Sequence, residues 1–126
     1  MAKTKSILKD VGSSPTDVFE IQYGKSGLLI RVDPDLTGRA VYFGDPIGFR
    51  VLDEGDLLEF WEDEDYDSNG WIFEVVSGGW LDYERSRKGF FSSADRGDIT
   101  EYLVATGSDC VNILSMSDPR IIRSAT

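Results

Sequence analysis

Residues 99–114 run Ile99-Thr-Glu-Tyr-Leu-Val-Ala-Thr-Gly-Ser-Asp-Cys-Val-Asn-Ile-Leu114. Two apolar stretches, 99–105 and 110–114, flank Thr106-Gly-Ser-Asp109, whose residue types favour a reversal of the chain. A hairpin through that turn collects Tyr102, Val104, Val111 and Ile113 on one face, the period-two pattern of strands laid on a core. No stretch of the 126 residues carries a long helical period, so this pair sets the expected fold class.

Upstream, Trp71-Ile-Phe-Glu-Val-Val76 and Trp80-Leu-Asp-Tyr-Glu84 flank Ser77-Gly-Gly79 and read as a second hairpin with a three-residue loop. That register sets Glu74 opposite Asp82 and Phe73 opposite Tyr83. One face then holds Trp71, Phe73, Val75, Leu81 and Tyr83; the other holds Ile72, Glu74, Val76, Trp80, Asp82 and Glu84. Residues 49–60 have two readings. With Glu54-Gly55 as a tight turn, Leu52 meets Leu57 and Arg50 meets Glu59, which favours a hairpin. With Asp56 as an N-cap and Glu59 completing a capping box, a helix starts there instead. The hairpin is the expectation.

Residues 18–23, 28–32, 40–43 and 120–123 read as further short strands between Gly, Pro and Asp turns. Residues 1–16 carry three lysines and Gly12-Ser-Ser-Pro15, and read as a loosely ordered arm. The chain is therefore expected to be one mostly β domain over residues 1–126. About eight short antiparallel strands would form a barrel or a sandwich, with room for one helix. Its length supports a core without staples, and the single Cys110 leaves no disulfide framework. The N-terminus has no apolar signal core and no run is long enough to cross a bilayer, so a soluble, cytoplasmic protein is expected.

The charge is concentrated. Residues 53–84 hold 12 acidic groups and no Lys or Arg, whereas the flanks together carry a small positive excess, so this stretch accounts for the whole net charge of −10. Trp61, Trp71 and Trp80 lie in it too. Acid mixed with large aromatics is the composition of a binding surface rather than of a solubilising coat. It repels nucleic acid and anionic membranes, and leaves a basic protein or a metal cation as partner.

Two candidate sites follow. Asp65-Tyr-Asp-Ser-Asn-Gly-Trp-Ile72 fits the first half of an EF-hand calcium loop, with Asp65, Asp67 and Asn69 as ligands and Gly70 at the turn. Position 12 is Val76, so the bidentate carboxylate is missing. The alternative is a solvated loop turning at Asn69-Gly70. The second candidate is the acidic face of the 71–84 hairpin, where repulsion between Glu74 and Asp82 beside Trp80 would favour something cationic. There the alternative is that the acids pair with Arg85, Arg87 and Lys88. Catalysis has little support: the chain has no histidine, Cys110 sits in an apolar strand, and no phosphate-cradling glycine loop is present. No enzyme activity is expected, and no cofactor apart from the calcium of that loop.

In size, acidity and Trp-rich strands such as Gly70-Trp-Ile-Phe-Glu-Val, the chain resembles the immunity proteins that bacteria make against their own toxins. The resemblance implies a domain that binds and blocks a basic, nuclease-like toxin domain by steric and electrostatic occlusion. Glu62, Asp63, Glu64, Asp65 and Asp67 would steer the encounter, and Glu74, Asp82 and Glu84 would add to the acidic face. Trp80, with Tyr66 or Trp61, would anchor the complex.

Overall fold

A computed structural model describes residues 2–8, 11–34, 38–63, 66–90 and 98–123. In chain order the strands are β1 (Lys3–Ser6), β2 (Glu20–Gly24), β3 (Gly27–Arg31), β4 (Arg39–Phe43), β5 (Pro46–Asp53), β6 (Ile72–Ser77), β7 (Thr100–Ala105), β8 (Asp109–Ser115) and β9 (Arg120–Arg123). Two short helices, α1 (Leu58–Trp61) and α2 (Trp80–Arg85), complete the elements. All pairings are antiparallel, in a five-stranded sheet ordered β1-β6-β7-β8-β5 and a four-stranded sheet ordered β2-β3-β4-β9. The two sheets pack as a sandwich.

The hairpin of residues 99–114 is the heart of the larger sheet. Val104 pairs with Val111 and Tyr102 with Ile113, as the alternation requires. These four meet Leu28, Ile30, Val41 and Phe43 from the smaller sheet in the core between the layers. Full burial of such side chains contributes roughly 1.5–3 kcal/mol each. Every residue of β7 from Glu101 to Ala105 is buried, so the sheet is covered on both faces. Its outer face is closed at one end by Leu57 and Phe60, and at the other by Leu81 of α2. Two short helices thus cover parts of the outer face of a two-sheet sandwich.

Eight of the strands were expected; two further expected strands are helical instead. Residues 57–60 do not fold back on β5. That strand runs on to Asp53 beside β8, and the Asp53 carboxylate accepts the Gly55 N–H at 2.8 Å to begin a single 3₁₀ turn, Glu54–Asp56. The helical reading was thus nearer, but Asp53 caps only the 3₁₀ turn, and no side chain, Asp56 included, caps α1. The physical reason is spacing. Leu57 and Phe60, three apart, are both fully buried in the same cluster, which a helical turn allows and an alternating strand forbids.

The 71–84 hairpin is also corrected. Gly78 adopts φ +74°, its N–H is held by the Asp82 carboxylate at 2.7 Å, and the chain turns into α2. No side chain from the preceding loop caps this helix. The Leu81 N–H instead donates at 2.8 Å to Glu101 Oε1, reaching across from β7. Glu74 consequently pairs with Tyr102 and Lys5, and does not stand opposite Asp82 in a hairpin. Trp71 precedes β6 and joins the inter-sheet core with Ile72, while Phe73 and Val75 face outward. Residues 3–6 of the arm form edge strand β1, and Ala2 is buried with its N–H on the Glu59 carbonyl at 3.0 Å.

Candidate functional site

Four loops converge at one end of the sandwich. The Gly107 N–H donates to the Pro15 carbonyl at 3.1 Å, and Ser108 Oγ donates to the Asp17 carboxylate at 2.6 Å, fastening the 14–17 segment to the β7–β8 turn. The Glu54 N–H reaches the Ser108 carbonyl at 3.0 Å, which ties the end of β5 to the same turn. Between these loops and Leu58, Trp61, Tyr66, Ser68 and Gly70 lies a cleft of about 720 Å³.

Its walls are apolar and aromatic. Pro15, Leu58, Trp61, Tyr66 and Ala105 line it, and Leu58 remains 55% exposed. Trp61 is fixed at its polar end, since Nε1–H donates to the Glu54 carbonyl at 2.6 Å. The Tyr66 ring meets Trp61 edge-on at 5.1 Å and packs against Phe73 at 5.1 Å. The indole has used its only donor, so what it offers a ligand is its ring surface.

The rim is acidic. Asp53 and Glu54 line the opening, and no Lys or Arg does so among the described residues. Asp53 stands directly opposite Asp109 where β5 and β8 end. Asp56, Glu59, Glu62 and Asp67 are exposed along the same segment. The field is felt by two neighbouring groups. Burial foremost, with Cys110, Asp67 and Glu54 adding to it, pushes the Tyr66 hydroxyl up to about 12. Burial again, joined by Glu54, Asp109 and Asp53, pushes the Cys110 thiol up to about 11. A thiol that stays protonated inside a sheet, in a chain without histidine, is no nucleophile.

The expected site residues divide. Glu62 and Asp67 are exposed and Tyr66 lines the cleft, but Asp63 is buried and accepts a bond from Lys3 Nζ at 2.9 Å, which withdraws it from any steering surface. Glu64 and Asp65 lie outside the described residues. Asp67 Oδ1 accepts the Asn69 N–H at 3.0 Å and the Gly70 N–H closes on the Asp67 carbonyl at 3.1 Å, a self-contained turn. Among the described residues no cluster of three or more His, Cys, Asp or Glu could hold a metal ion.

Trp80, Glu74, Asp82 and Glu84 do not join the cleft. Trp80 is half-buried on the outer face of the larger sheet under the Arg50 guanidinium, 5.1 Å from the ring centre, and its Nε1–H donates to Glu84 at 3.1 Å. Glu84 also holds Arg87 at 2.9 Å, so the basic segment neutralises part of this acid as one of the two readings expected. The residues missed by pattern are Pro15 and Leu58, brought to the cleft by turn contacts between distant segments. In comparisons with known proteins, no family model, no curated protein and no solved structure matches the chain.

Proposed function

We propose that this chain is an acidic protein-binding domain, acting as an immunity protein that occupies and blocks a basic, nuclease-like toxin domain. The observation that carries the reading is the cleft: aromatic walls, a carboxylate rim and, among the described residues, no lining Lys or Arg, beside a stretch, residues 53–84, that accounts for the whole net charge. Clefts of one sign of charge raise the local concentration of an oppositely charged partner and its rate of arrival. Fixed aromatic rings then give the complex its lifetime. Binding would act sterically, in the cytoplasm, by covering the phosphate-binding Lys and Arg of the toxin.

The test is capture from the native host's lysate on immobilised protein, with a variant carrying Asp53→Asn, Glu54→Gln, Glu62→Gln and Asp67→Asn as comparison. A basic protein retained by the wild type, lost with the variant and inhibited one-to-one by added chain is the expected result. A retained protein whose activity continues undiminished in saturating chain would refute the blocking role.

A further inference from the structure

The cleft has a chemistry narrower than general acidity. We infer that it receives an arginine side chain presented at the tip of a protruding loop of the basic partner, an assignment that rests on the inhibitor reading and gives it a contact. Three features on one site point to a guanidinium. The first is shape: at about 720 Å³ the cleft exceeds what one side chain fills and suits a loop tip of a few residues. The second is the pairing of ring surfaces with carboxylates. Trp61 and Tyr66 are held edge to face, with the indole N–H already engaged, so the walls offer π surface and hydrocarbon. A planar, weakly hydrated guanidinium stacks on such surfaces while donating to carboxylates; a compact, strongly hydrated ammonium does so less well.

The third feature is uncompensated repulsion. Asp53 and Glu54 line the opening, and Asp109 stands opposite Asp53 across β5 and β8 without lining the cleft itself. Like charges directly opposed on a sheet cost stability, and a cation held at Asp53 and Glu54 lessens that cost. The other occupants fit worse. An anion meets no lining Lys or Arg, and a bare metal ion finds no cluster of ligating side chains among the described residues. A second copy of a chain with net charge −10 is repelled.

The probes are acetyl-Gly-Gly-Xaa-Gly-Gly-amide peptides with Xaa as Arg, Lys or citrulline, the last keeping the shape of arginine without its charge. Binding is read from the indole N–H resonance of Trp61, assigned with Trp61→Phe. The arginine peptide should shift that resonance and bind at least about tenfold more tightly than citrulline, with lysine between them. Glu54→Gln and Asp53→Asn should each weaken the arginine peptide several-fold while leaving the remaining resonances in place. Asn keeps the capping chemistry of Asp53, so the fold survives the change.

Equal binding of arginine and citrulline would overturn the inference, as would lysine equalling arginine. Displacement of the arginine peptide by millimolar calcium would overturn it too, since the site would then read charge alone. If no peptide binds while a basic protein is still captured by the wild type and lost with the acid-neutralised variant, the arginine assignment fails and the inhibitor reading stands. If the peptides behave as expected but no basic protein is captured, the inhibitor reading fails and the guanidinium site remains.

Discussion

Asp53, on the rim of the aromatic cleft, lies directly across from Asp109 where β5 ends and β8 begins. Such opposition costs roughly 0.2–1 kcal/mol. Asp53 also caps the 3₁₀ turn, whereas the Asp109 side chain makes no hydrogen bond or ion pair among the described residues; its backbone carbonyl accepts from the Thr106 hydroxyl. Asp109→Asn should therefore stabilise the fold by about 0.5 kcal/mol in urea melts while weakening the basic partner. Loss of stability on this substitution would mean that the pair is compensated in the native state.

Gly79 should tolerate no side chain. A Cβ there would sit 2.7 Å from both Glu101 Oε1 and Val75 Cγ1, neither of which is the free end of a flexible chain. Glu101 is buried, capping α2 and accepting from Asn112 Nδ2 at 2.9 Å. Gly79→Ala should cost about 2–3 kcal/mol, read as a shift of the urea midpoint without change of slope. A near-neutral result would show that α2 can move off the sheet.

Arg39 fastens the N-terminal segment to the sandwich. It grips Asp33 through Nε at 2.8 Å and Nη2 at 2.9 Å, reaches the Val11 carbonyl at 2.8 Å and the Ser13 carbonyl at 2.7 Å, and covers Trp71 at 5.1 Å. Arg39→Met should cost about 3 kcal/mol.

The same contact sets an acid limb. The hydrogen-bonded guanidinium of Arg39 lowers Asp33 from 3.8 to about 2. A depressed carboxylate contributes stability above its unfolded value and loses it as pH falls through the folded one, here about 2 kcal/mol between pH 3.8 and 2. Glu101 works in the opposite direction: burial raises it above 4.5, so its contribution to stability falls as pH rises through and above that value. Stability should therefore be greatest near the interval 3.8–4.5 as far as these two groups decide it. Arg39→Met should remove the limb below it. A wild-type profile flat from pH 4 to 2 would contradict this account.

How much of this was legible follows from where the information lies. The β7–β8 register could be read because alternation, turn residues and pairing are all local to 16 residues. The strand count was nearly right for the same reason. What failed was tertiary. Gly78-Gly79 suits a hairpin loop by itself, and only Glu101, twenty residues on, supplies the cap that makes residues 80–85 helical. Asp53 and Asp109 were never read as neighbours because residues 57–60 looked like the partner of β5. Had β8 been assigned that place, the register would have put the two acids together. The stretch 53–84 was recognised as the centre of the charge, but Asp63 could not be seen to be buried, since its Lys3 partner sits in a segment taken for a loose arm.

The most direct test of the account is the association rate of the captured basic partner across a salt series. If the acidic cleft steers and then holds it, raising salt from 50 to 500 mM should slow association by about tenfold or more and change dissociation far less. The variant neutralised at Asp53, Glu54, Glu62 and Asp67 should start near the slow rate and stay there. An association rate that ignores salt in the wild-type protein would contradict the account.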